Sequence, residues 1–96
     1  MNKNDIYTDP GRAYRYARDV IKGRFEEGED AISMDHVYAY WYAKYVVKGR
    51  FEKGEDAISK HPEYADWYAR EVLREIKLTK REKFVLMFQF PDLIKE

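Results

Sequence analysis

The twelve-residue string KGRFEEGEDAIS, from Lys22 to Ser33, returns as KGRFEKGEDAIS from Lys48 to Ser59, with Glu27 against Lys53 as the only difference. The register extends beyond the strings. Ala13, Ala39 and Ala65 stand 26 residues apart, as do Tyr16, Tyr42 and Tyr68, then Ala17, Ala43 and Ala69, then Val20, Val46 and Val72. A fixed period in the range of about 20 to 50 residues signals supersecondary units that bury their apolar faces only by packing on one another. Two full copies and a third partial one are legible.

Within a copy, Ala13, Tyr16, Ala17, Val20 and Ile21 fall at i, i+3, i+4, i+7 and i+8, one stripe of an amphipathic helix. Asp9 followed by Pro10 caps and opens the first such helix, Asp35 caps its counterpart and Pro62 opens the third. Gly23 and Gly49 stand where a helix stop favours a left-handed residue. In the second half of each copy, Phe25, Gly28 and Ile32, like Phe51, Gly54 and Ile58, suit a short second helix. A glycine inside a helix costs about 1 kcal/mol against alanine, so Gly28 and Gly54 imply close approach by a neighbouring helix. A second stripe changes between copies: Arg12, Arg15 and Asp19 become Tyr38, Trp41 and Tyr45, then Tyr64, Trp67 and Glu71. A wet flank on the first helix and apolar flanks on the second describe a stack whose polar end is helix one.

After Arg74 the repeat stops. Thr79 caps a last helix running through Gln89, with Phe84, Leu86, Met87, Phe88 and Phe90 expected to cover the open end and Pro91 to stop it. The expected fold class is all-α, a short right-handed solenoid of helical hairpins with a 26-residue repeat and a C-terminal capping helix. Its expected parts are an N-terminal arm (1–9), repeat 1 (10–34), repeat 2 (35–60), a partial repeat 3 (61–77) and the cap (78–96), in a single domain.

The chemistry-bearing residues read as structural. Arg24 and Arg50, among Glu26, Glu29, Glu52 and Glu55, form a set duplicated in register; packing contacts in a repeat array need such duplication and catalytic groups do not, so the arginines are expected to bridge carboxylates of the adjoining turn. His36 and His61 sit before helices but at non-equivalent repeat positions, without HxxxH or HExxH spacing, and are expected to be solvated turn residues. Ser33 and Ser59 have no adjacent base and end the short helices. No GxxxxGK[ST] or GxGxxG string marks a nucleotide site. No catalytic residue, cofactor or metal is expected.

Eighteen basic residues balance eighteen acidic ones, so no global field draws the chain to nucleic acid or an anionic surface. Basic residues do cluster at Arg12, Arg15, Arg18, Lys22 and Arg24 and at Lys77, Lys80, Arg81 and Lys83, interleaved with tyrosine. That pattern keeps RNA or single-stranded DNA as the alternative partner. The longest apolar run, Phe84 to Phe88, is far below the roughly 20 residues of a spanning helix, and no secretory leader is legible, so a cytoplasmic protein without a membrane partner is expected. The absence of cysteine fits a reducing compartment.

The strings YARDVIKGRFEEGEDAI, YAKYVVKGRFEKGEDAI and YAREVLREI resemble the short tandem repeats of small uncharacterised proteins of tailed phages, in which tryptophan-proline often stands for Phe25-Glu26 or Phe51-Glu52. The resemblance runs from Ala13 to Ile76 and carries no catalytic or binding residues across. It implies a phage-encoded accessory protein that binds and blocks a host or antiviral-defence protein, in the host cytoplasm. Recognition is then expected at exposed positions that differ between copies: Glu27 and Lys53; Tyr14 and Tyr40 against Asp66; and Arg15 and Asp19 on the outer flank. Self-association stays open.

Overall fold

In the computed structural model, which describes residues 5–94, each apolar stripe becomes a helix that starts at a foreseen cap. Asp9 accepts the Arg12 N–H at 3.1 Å and opens α2, Pro10–Tyr16. Asp35 accepts from Val37 and Tyr38, at 2.9 and 3.2 Å, and opens α4, His36–Trp41. Pro62 opens α6, Pro62–Glu71, at the matching place. The short second helices are α3, Glu29–Ser33, preceded by a 3₁₀ turn at Glu26–Gly28, and α5, Glu52–Ser59. Ser33 and Ser59 close them by donating to the carbonyls of Asp30 and Asp56. Thr79 and Glu82 form a reciprocal capping box that opens α7, Lys80–Gln89. Together with α1, Asp5–Thr8, these make seven α-helices and no strand among the described residues, so the chain is all-α.

Residues 5–8 of the N-terminal arm form α1, which packs on α2 and α3 with the Tyr7 ring 5.8 Å from Phe25; residues 1–4 of that arm lie outside the described range. Two expectations need correction. The left-handed stop falls one residue early, at Lys22 (φ 60°) and Lys48 (φ 58°), and neither Gly23 nor Gly49 has positive φ. The reason is that α2 and α4 widen into π-helical turns, Ala17–Ile21 and Tyr42–Val47, so that the amides of Lys22 and Gly23 both reach the Ala17 carbonyl. Finally, Phe84 and Phe88 do not cover the open end. A helix of 3.6-residue period turns one side inward; Leu86 and Phe90 take it and are buried, whereas Phe84 and Phe88 stand 60 and 69% exposed.

The core is made of contacts that return with the period. Tyr14 lies 5.8 Å from Tyr38 and 6.0 Å from Trp41, and Tyr40 lies 5.7 Å from Tyr64 and 6.1 Å from Trp67. Inside each copy a tyrosine faces a phenylalanine, Tyr16 with Phe25 at 5.1 Å and Tyr42 with Phe51 at 4.9 Å. The third copy has Lys77 where that phenylalanine belongs, and Phe90 beyond α7 fills the place, 5.1 Å from Tyr68. The helices form a body 45 × 23 × 19 Å.

Gly28 and Gly54 owe their identity to space. A Cβ on Gly54 would stand 2.7 Å from the Ala39 Cβ and 2.8 Å from the Phe51 ring; one on Gly28 would stand 2.6 Å from the Phe25 ring and 3.1 Å from the Ala13 Cβ. The neighbouring helix does approach closely, and the close atoms belong to its alanine.

Candidate interaction groove

The duplicated Arg and Glu residues form a buried lock. Glu29 and Glu55 are almost fully buried. Arg24 grips Glu29 through two N–H groups at 3.0 and 3.1 Å, and Arg50 grips Glu55 at 2.8 and 3.1 Å. The following copy supplies the third member: the Tyr42 hydroxyl donates to Glu29 at 2.7 Å and accepts the Phe25 N–H at 2.8 Å, and Tyr68 repeats this with Glu55 and Phe51 at 2.7 and 3.0 Å. Burial alone would raise the Glu29 carboxyl, but Arg24 and Tyr42 outweigh it and hold it below the ordinary range. Tyr42 and Tyr68 are pushed well above the usual phenol range, mainly by burial and then by the carboxylate each faces. Each arginine grips the glutamate of its own copy, Arg50 also reaching Glu82 of α7 at 3.3 Å, and within the cluster the tyrosine hydroxyl is the group that comes from the next copy. A phenol kept protonated and a carboxylate saturated with donors suit adhesion better than proton transfer.

The proposed recognition residues are scattered by the fold. Tyr14 and Tyr40 are buried, 4% exposed, because their rings sit beneath Tyr38 and Trp41 and beneath Tyr64 and Trp67 of the next copy. Asp66 pairs with Arg70 at 2.6 Å, Asp19 with Arg18 at 2.7 Å, and Lys53 with Asp30 of the preceding copy at 3.1 Å. Glu27 is exposed, and Arg15 and Asp19 together border a shallow hollow with Ile6, Tyr16 and Val20 at the N-terminal end. Burial takes Tyr14 and Tyr40 out of any surface shared with them. His36 and His61 differ from solvated turn residues in one respect: their rings stack at 3.4 Å between centroids, which joins two copies despite their non-equivalent positions. Burial first, and then the facing His61, hold His36 below the ordinary imidazole range. No group of three or more His, Asp or Glu side chains suited to a metal occurs among the described residues.

A surface that sequence reading missed lies where the helices end. Three concavities of about 290, 190 and 350 Å³ follow one another along the stack. The first, between the two π-helical turns, includes Lys22, Tyr45 and Lys48; the second includes Lys48, Glu71 and Ile76; the third includes Ile76, Arg74, Lys83 and Leu93. Shared Lys48 and shared Ile76 make them one interrupted groove. Lys22, Lys48 and Arg74 stand 26 residues apart, so each concavity carries a cation from the same place in its copy. That recurrence was the available signal, obscured by reading Lys22 with its neighbours on helix one. Lys22 and Lys48 have no carboxylate partner among the described residues, and Arg74 spends one N–H on the Leu93 carbonyl at 3.2 Å. Lys44 pairs with Glu71 across two copies and lies over the Tyr45 ring, so the wall between the first two concavities is braced. Exposed Val20, Ile21 and Tyr45 add apolar surface at one end.

No helix among the described residues is long and apolar enough to cross a membrane. In comparisons with family models, curated proteins and solved structures, nothing matches the chain.

Proposed function

We propose that the chain is a non-enzymatic protein-binding module, a right-handed solenoid with a 26-residue repeat, whose groove at the helix ends receives an extended acidic segment of a partner protein. The observation that carries this reading is the row Lys22, Lys48 and Arg74, one cation per copy in three concavities that share walls. Repeat stacks offer extended surfaces of this kind, and a periodic cation row favours a chain with spaced carboxylates over a compact small molecule. The buried Arg, Glu and Tyr clusters satisfy one another and leave no polar side-chain atom unpaired in the interior of the described residues, which supports adhesion over catalysis. The resemblance to tailed-phage accessory repeats supports a host or antiviral-defence protein as the target and the host cytoplasm as the place of action.

Nucleic acid is the second reading, since the same cations attract phosphate. Against it, Arg12, Arg18 and Arg24 of the first basic cluster each have a carboxylate partner. The test is capture from nuclease-treated host extract by the wild type and by a Lys22→Glu, Lys48→Glu variant, beside anisotropy of a labelled single-stranded oligonucleotide at low salt. A protein retained by the wild type and lost by the variant is expected, with no oligonucleotide binding. Equal capture by both, or oligonucleotide binding that weakens steeply with salt, would overturn the protein reading.

A further inference from the structure

Helix α7 carries more apolar surface than the cap requires. Leu86 and Phe90 face inward and are buried, while Glu82 and Gln89 tie the helix to Arg50 and to Asp56. The opposite face holds Arg81, Phe84, Val85 and Phe88 at i, i+3, i+4 and i+7. Phe84, Val85 and Phe88 are 60, 56 and 69% exposed, and the two phenylalanine rings pack edge to face on each other at 5.2 Å. Lys80 and Arg81 adjoin this ridge on the helix, both exposed and neither paired with a carboxylate among the described residues, whereas Lys83 turns to the other side and lines the third concavity. The one acidic residue of α7, Glu82, is engaged by Thr79 and Arg50.

We propose that α7 is a docking helix for an anionic phospholipid surface, with Phe84, Val85 and Phe88 entering the headgroup boundary and Lys80 and Arg81 holding the lipid phosphates. Two observations select this occupant. The ridge is small: two phenylalanines so exposed and a valine offer roughly 300 Å² of apolar surface, against about 450 Å² of apolar surface that each side of a standard protein interface contributes. Binding to a bilayer scales with whatever apolar area enters it and adds attraction to anionic lipid, so a small aromatic ridge beside two cations suffices. The charge also selects. A second copy docking ridge to ridge would bring two unpaired cations against two more, whereas anionic headgroups complement them. The lack of a spanning helix has no bearing on a helix that lies in the interface.

The inference is independent of the groove, and its test needs no protein partner. The full chain is sedimented at low salt with vesicles of equal parts phosphatidylglycerol and phosphatidylcholine, and with phosphatidylcholine alone. Binding to the anionic vesicles only is expected. A Phe84→Ser, Phe88→Ser variant and a Lys80→Glu, Arg81→Glu variant, each checked for retained helicity, should lose it about tenfold or more. No sedimentation with anionic vesicles overturns the proposal, as does binding that the serine variant retains in full. Light scattering that shows a dimer which the serine variant dissolves would overturn it too, by giving the ridge to a second copy.

Discussion

Tyr68 shows how one side chain joins two copies. Its ring fills the space beside Phe90, while its hydroxyl donates to Glu55 and accepts the Phe51 N–H from the preceding unit. Removing that oxygen strands a buried amide and takes a donor from a buried carboxylate, so Tyr68→Phe should destabilise by about 1–3 kcal/mol. Tyr16, the equivalent residue of the first copy, has no preceding unit and no hydrogen bond from its hydroxyl among the described residues. Tyr16→Phe should stay within about 0.5 kcal/mol of the wild type. Urea unfolding of the two variants checks the contrast; equal losses would mean that the hydroxyl is not the tie between copies.

The glycines distinguish helix packing from helix termination. Gly54→Ala puts a methyl group where the Ala39 Cβ and the Phe51 ring already stand, and the helix-propensity gain of alanine is smaller than the cost of parting α4 from α5. A destabilisation of about 1–3 kcal/mol is expected. Gly23 has no neighbour within 4 Å of a Cβ and no positive φ, so Gly23→Ala should stabilise by about 0.5 kcal/mol. Thermal melts of both variants decide whether close approach or backbone freedom maintains each glycine. The spacing alone marked both as helix-related but assigned the left-handed turn to Gly23 and Gly49, because a π-helical widening that moves the turn to Lys22 and Lys48 leaves no trace in hydrophobic periodicity.

Across the molecule, Phe90 returns from beyond α7 to face Tyr68, as Phe25 faces Tyr16 and Phe51 faces Tyr42. Removing everything from Thr79 onward should therefore uncover Tyr68 and Leu73, lower the melting temperature and cause aggregation, which circular dichroism and light scattering would register. A truncated chain as stable as the full one would make the C-terminal segment an appendage. Local pattern was enough for the helices and their caps at Asp9, Asp35 and Thr79, since each depends on residues a few positions apart. It was not enough for Tyr14 and Tyr40, which looked free to vary and are covered by rings of the next copy, nor for the groove, whose walls come from residues 26 and more positions apart. Which side of a helix meets a neighbour is settled by how the units press together, and neighbouring side chains in the chain carry no record of that.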